Sequence, residues 1–121
     1  MRAEVSKKME FAAAHRLPNY DGKCSQLHGH TWEVEITISG EIGDKTGMVV
    51  DFSEMKKILA PIIEEHFDHH QLNDIIENPT AEHIAEYLYN LLLCEVISGT
   101  GVRLEAVTVW ESSDSKATVR G

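Results

Sequence analysis

Residues 32–39 alternate without a break: Trp32, Val34, Ile36 and Ile38 are apolar, and Glu33, Glu35, Thr37 and Ser39 are polar. Successive side chains of a strand point to opposite faces, so this octet specifies a strand with one buried face and one wet face. Just ahead of it stand Cys24-Ser25-Gln26-Leu27-His28-Gly29-His30. Residues two apart on a strand share a face, so His28 and His30 can aim at one point. A third histidine, His15, ends the upstream run Phe11-Ala12-Ala13-Ala14. Two imidazoles from one strand and one from a neighbouring strand would make a three-histidine site with an open position, the pattern of catalytic rather than structural zinc. Taken singly, each histidine is more often a hydrogen-bonded core or surface residue, and spacing alone supplies no distance between His15 and the pair.

Around this strand the chain reads as strand, strand, helix, helix, strand, strand. Val5–Ala12 alternates weakly, with Met9 and Phe11 on one parity, and the turn-rich stretches 18–23 and 40–47 flank the second strand. Asp51 and Glu54 resemble a capping box that opens a helix, on which Met55, Ile58, Leu59, Ile62, Ile63 and His66 fall on one face. Pro61 removes one bond from that helix and is expected to bend or shorten it. Thr80 is the expected N-cap of a second helix with Ile84, Tyr87, Leu88, Leu91 and Leu92 as its buried stripe, closed by Ser98-Gly99-Thr100-Gly101. Val102–Glu111, apolar on both faces between Ala106 and Trp110, should be a central strand, and Lys116–Arg120 should form a hairpin with it. The order predicts an α+β fold, ββααββ: a four-stranded antiparallel sheet with two helices on one face. A length of 121 residues predicts one domain, 1–121, with a modest core. A large cleft would then need a second subunit, and exposed sheet edges invite such pairing.

Charge narrows the function classes. Eleven basic against twenty acidic side chains give a net −9 with no Lys/Arg cluster, so a nucleic-acid partner is not expected. No run of ~18 apolar residues suits a membrane span, and Met1–Lys8 lacks the apolar stretch of a signal peptide. Two cysteines make no disulfide framework and suggest a reducing cytoplasm. Cys24 has two readings: an inert buried thiol, or one that ionises near a metal or a protonated imidazole and serves as base or nucleophile. Its neighbours Lys23 and Ser25 argue against burial, whereas Cys94 follows Leu91-Leu92-Leu93 and reads as core packing. In Phe67-Asp68-His69-His70-Gln71-Leu72-Asn73, a carboxylate can orient an imidazole, or the segment is a solvated helix end. His66 and His83 read as structural. Glu111 is either a solvated charge at a strand end or a ligand group.

Several of these segments occur together in a known order: Phe11-x-Ala-Ala-His15-Arg16-Leu17, Cys24-x-x-x-His28-Gly29-His30, Asp68-His69-x-x-Leu72-Asn73, Pro79-Thr80-x-Glu82 and Glu111. In this the chain resembles the 6-pyruvoyl/6-carboxy-tetrahydropterin synthase family, over about residues 9–120. The three-residue gap between Cys24 and His28 is similar to the carboxy branch, which serves queuosine biosynthesis. The pyruvoyl branch typically has a longer gap, and often Asn where this chain has Thr31. Ser112 stands where the family commonly has Thr.

The resemblance implies a tunnelling fold: three subunits closing a twelve-stranded barrel, two trimers stacking into a homohexamer, and active sites between subunits. It implies a lyase that converts 7,8-dihydroneopterin triphosphate to 6-carboxy-5,6,7,8-tetrahydropterin, releasing acetaldehyde and triphosphate. His15, His28 and His30 would hold Zn²⁺. Cys24 would act as the thiolate base, and His69, oriented by Asp68, as the partner acid/base from an adjacent subunit. Glu111 would accept paired N–H bonds from the pterin ring, and Thr80 would line its pocket. Pyruvoyl-forming activity is the alternative within the family; a non-catalytic zinc- or pterin-binding module is the alternative of another class. A polyanionic substrate also needs local cations in an acidic chain, and Lys23, Arg16 and Lys8 are the candidates.

Overall fold

The computed structural model describes residues 1–96 and 101–121, and for 94–96 the backbone alone. The expected role of Cys94 and the stop at Ser98-Gly99-Thr100 lie outside the described residues. The elements are β1 (Arg2–His15), β2 (His28–Glu41), α1 (Phe52–His66), α2 (Ala81–Val96), β3 (Arg103–Ser112) and β4 (Ser115–Arg120). Short 3-10 turns at Lys23–Ser25 and Leu72–Asp74 complete them. The four strands form one antiparallel sheet in the order β1-β2-β3-β4, so β3 is internal as its two apolar faces require.

Pairing between β1 and β2 runs from Arg2 opposite Glu41 to His15 opposite His28. β1 is therefore longer than its weak alternation suggests. Alanines 12–14 have little strand preference of their own, and the ladder with β2 imposes it on them. Phe11, Ala13 and His15 share the covered face with Trp32, Val34, Ile36 and Ile38 of β2 and with Val107 and Val109 of β3. Phe11 stacks parallel to Trp32 at 6.0 Å and meets Phe67 at 5.4 Å.

Met55, Leu59, Ile62 and Ile63 of α1, with Ile84, Ala85, Leu88 and Leu92 of α2, are buried against that face. Both helices thus lie on one side of the sheet. Pro61 does not shorten α1, which continues to His66 with Ile62 and Ile63 seated in the core. The reciprocal capping box does not form. Asp51 caps the helix by accepting from the Ser53 amide at 2.8 Å, and the Glu54 carboxylate turns to Lys57 at 3.1 Å. His66 packs edge-on to Tyr87 at 6.1 Å, a structural contact.

Thr80 does cap α2: its Oγ1 accepts from the His83 amide at 3.1 Å. Thr80→Ala is expected to cost about 1 kcal/mol of stability. The measurement is urea unfolding, with a lower midpoint at an unchanged slope; an unchanged midpoint would show that the cap contributes nothing.

Candidate metal and acid–base site

The cross-strand pair His15–His28 and the next position on the same face, His30, bring three imidazoles to one end of the sheet. Their ligand atoms lie within 4.8 Å of one another. Each ring is placed by its surroundings. The Nδ1 of His15 is 2.7 Å from the Pro79 carbonyl, and the Nδ1 of His28 is 2.7 Å from the Gln26 carbonyl. A carbonyl only accepts, so each Nδ1 carries the proton and each Nε2 of the neutral ring keeps its lone pair. The Trp32 indole meets His15 edge-to-face at 4.9 Å and His30 at 5.2 Å, walling the rings from the core side.

The Nε2 atoms of His15 and His30 are buried without a hydrogen-bond partner. Leaving such atoms unpaired costs about 1–3 kcal/mol each. Burial above all keeps both imidazoles below their ordinary pKa, with neighbouring His28 adding to the effect. The Pro79 carbonyl pulls the other way for His15, and Glu111 does so for both. Neutral, lone-pair-bearing and convergent imidazoles are what a divalent transition metal requires, so the donor set fits a bound ion.

Cys24 lies in the Lys23–Ser25 turn, half-buried, with its carbonyl accepting from the Leu17 amide at 2.8 Å. It stands outside the three-histidine group. It does line a hollow of about 550 Å³ together with Lys23, Gln26, Leu27, His28, His30 and Glu111. The thiol, two of the imidazoles and the carboxylate therefore face one space.

Glu111 owes its position to a break in the sheet. Trp110 pairs with Lys116 and Ser112 with Ser115, which leaves Glu111 as the extra, unpaired residue of a bulge. Bulges of this kind re-aim a side chain beside a site. Its carboxylate comes within 3.7 Å of the His30 Nε2 and 3.9 Å of the His15 Nε2. Glu111 also borders a second hollow of about 240 Å³, shared with Thr80, Leu17, Glu82 and Lys116. One carboxylate thus separates a thiol–imidazole space from a space at the start of α2.

Asp68 and His69 pair with each other, Nδ1 to Oδ2 at 2.9 Å, and line neither hollow. Their segment follows α1 with His69, His70 and Gln71 exposed, and it is anchored at both ends by Phe67 and Leu72, which are fully buried. Residues between them run along the edge of β1. The Asp68 carboxylate accepts from the Ala12 amide at 2.9 Å, the His70 carbonyl accepts from the Ala14 amide, and Gln71 forms a parallel bridge with Ala14. The Ala12 amide first, and His69 second, hold the Asp68 carboxyl below its usual range. His69 adopts a left-handed backbone at φ 59°, unusual for a side chain other than glycine, and its ring projects into solvent.

Of the basic candidates, Lys23 faces the hollow, whereas Lys8 is engaged on the open face of the sheet with Glu33 at 3.5 Å and over Trp110 at 4.2 Å. The Arg16 backbone is clamped at both its N–H and its C=O by the Asn73 amide, each at 2.8 Å. His83 is bound through Nδ1 to the Asn78 carbonyl, a structural role. Sequence reasoning picked out Pro79 in a motif but missed its role, which is played by a backbone carbonyl with no sequence signal. It also missed Lys116, whose nearness to Glu111 follows from the hairpin register.

Known proteins give this geometry its context. The sequence profile of the 6-pyruvoyl tetrahydropterin synthase family matches residues 4–121. A 6-carboxy-5,6,7,8-tetrahydropterin synthase from Synechocystis is 38% identical over 119 residues, covering 93% of this chain and 89% of that protein. A dihydroneopterin monophosphate aldolase from Pyrococcus furiosus is 33% identical over 114 residues, covering 94% of each. Among solved structures, 6-pyruvoyl tetrahydropterin synthase from Caenorhabditis elegans superimposes with a TM-score of 0.87 at 26% identity, covering 100% of this chain and 96% of that one. With strands, helices and histidine cluster arranged as they are, the chain belongs to the 6-pyruvoyl tetrahydropterin synthase family.

Proposed function

We propose that this protein is a zinc-dependent carbon–carbon lyase that converts 7,8-dihydroneopterin triphosphate and water to 6-carboxy-5,6,7,8-tetrahydropterin, acetaldehyde and triphosphate. The observation that carries the reading is the hollow in which Cys24, His28, His30 and Glu111 meet, beside two buried imidazole nitrogens without partners. His15, His28 and His30 would hold the metal, which when bound lowers the pKa of the substrate's side-chain hydroxyls and polarises the carbonyl that forms. Cys24 removes a proton from the substrate's carbon framework. Glu111 accepts two N–H bonds from the pterin ring and so fixes its orientation, with Thr80 on the ring's far side. Lys23, at the rim beside Cys24, is the cation best placed for the phosphates.

His69, oriented by Asp68, serves as the partner acid/base from an adjacent subunit, giving up a proton of its own ring. Within one chain this pair lies on the β1 edge, away from Cys24's hollow. It reaches substrate only if a neighbouring subunit presents it, which supports a site between subunits. β4, and β1 ahead of the stretch that residues 68–71 cover, leave edges on which copies can pair. The assembly proposed is a homohexamer of two barrel-forming trimers, each subunit a single domain, working in the reducing cytoplasm where Cys24 stays a thiol. Among the described residues no helix is long and apolar enough to cross a membrane.

Product identity tests the reading. Purified protein loaded with zinc and given 7,8-dihydroneopterin triphosphate should release acetaldehyde in step with the 6-carboxy product. A pyruvoyl product without acetaldehyde would assign it to the other branch. Turnover of dihydroneopterin monophosphate in preference to the triphosphate would place it with the aldolase.

A further inference from the structure

Glu111 brings an acceptor to a place already crowded with acceptors. The His15 Nε2 bears a lone pair, because its Nδ1–H is committed to Pro79. The Glu111 Oε2 lies 3.9 Å from it, and Oε1 lies 3.7 Å from the buried, unpartnered His30 Nε2. Among the described residues these two imidazoles are the carboxylate's only ionic partners; Lys23 and Lys116 border the same hollows without reaching it. At His15 the two lone pairs face one another and repel unless a cation lies between them, and His30, with no hydrogen bond among the described residues fixing its Nδ1, can turn its own Nε2 lone pair to the same cation. In a tetrahedral site with metal–ligand bonds of about 2.0–2.2 Å, donor atoms stand about 3.4 Å apart. The carboxylate is within a few tenths of an ångström of that separation from two of the three histidines.

Resting on the reading of His15, His28 and His30 as ligands, we propose that Glu111 takes the metal's fourth position while no substrate is bound. The pterin ring then draws the carboxylate away as it docks and leaves that position open for the substrate's hydroxyls. Glu111 stands outside the 4.8 Å histidine group, so ligation needs a small shift toward His28. The bulge allows it, since no cross-strand partner holds Glu111 in register. The side chain is one-third exposed, at 34%, and so can rotate between its two partners. Coordination of this kind keeps the metal closed to stray anions until the correct ring arrives.

The test is cobalt(II) substitution of the full-length protein, read by its visible spectrum and by Co²⁺ affinity in competition with a chelator. Wild-type protein should show an intense four-coordinate band. Glu111→Gln and Glu111→Ala should shift the band and bind Co²⁺ roughly 10–100-fold more weakly, with circular dichroism confirming that both fold. Pterin, which carries the ring without the hydroxylated side chain, should move the wild-type spectrum toward that of the variants and leave theirs unchanged. Variants with the wild-type spectrum and affinity would overturn the proposal while leaving the histidine site standing. Failure of the wild type to bind Co²⁺, or binding unaffected by His28→Ala, would overturn the histidine reading and this proposal together.

Discussion

Cys24→Ala protein is expected to keep stoichiometric zinc and the wild-type fold while its turnover of 7,8-dihydroneopterin triphosphate falls by about 10²–10⁴-fold, the usual contribution of a positioned proton-transfer group. The expectation separates two effects that a thiol beside a metal can confuse. Cys24 is not among the side chains whose ligand atoms cluster within 4.8 Å, so its removal takes nothing from the metal. Nor does its side chain hold the turn: this segment is tied to the chain just past β1 by the bond from the Leu17 amide to the Cys24 carbonyl, which alanine retains. Metal content by atomic absorption, circular dichroism and acetaldehyde release on the same preparation make the measurement. Loss of zinc with loss of activity would make Cys24 a ligand, and full activity would pass the base role to another group. Cys24→Ser sharpens the result, since a hydroxyl fills the space but is far less readily ionised, and should be nearly as inactive as alanine.

Much of the fold is legible because β2 states it so clearly. Four apolar residues alternating with four polar ones fix a half-buried strand, and the helical stripes of α1 and α2 supply its cover. The end of β1 was less legible, because an alanine run carries no strand signal and its conformation comes from the partner strand. That extension is what sets His15 opposite His28. The site divides along the same line. Spacing two apart on a strand revealed His28 and His30, whereas Pro79 acts through a backbone atom. Glu111 was legible only as a strand-end charge or a ligand group, and its freedom comes from a bulge that shows only when β3 and β4 are paired. Asp68 and His69 could be read as a pair from adjacency. Their place on the β1 edge depends on Phe67 and Leu72 burying themselves in the core, a tertiary event no local pattern announces.

His15→Ala should fail to retain zinc and should separate the structural from the metal-binding share of that ring. In the metal-free protein several effects oppose one another. Truncating a fully buried imidazole leaves a void, at a cost of about 2–5 kcal/mol for comparable large-to-alanine changes. It also strands the Pro79 carbonyl, at about 1–3 kcal/mol. Against this, alanine removes the buried, unpartnered Nε2, itself a burden of similar size. The void therefore decides the sign, and the variant is destabilised by a few kcal/mol. Zinc then widens the gap, because a ligand at 100 times its Kd adds about 2.7 kcal/mol to the protein that binds it and nothing to the one that does not. Thermal unfolding of both proteins, with zinc and with chelator, gives the comparison; a zinc-induced rise in Tm as large for His15→Ala as for wild type would remove His15 from the ligand set. Acid adds a second signature in the metal-free state. Burial lowers the folded-state pKa of His15 and His30, so below about 6.5 the unfolded chain binds more protons than the folded one. Wild-type stability should accordingly fall as pH drops through that region. His15→Ala should fall less steeply, because one of the two imidazoles that resist protonation is gone.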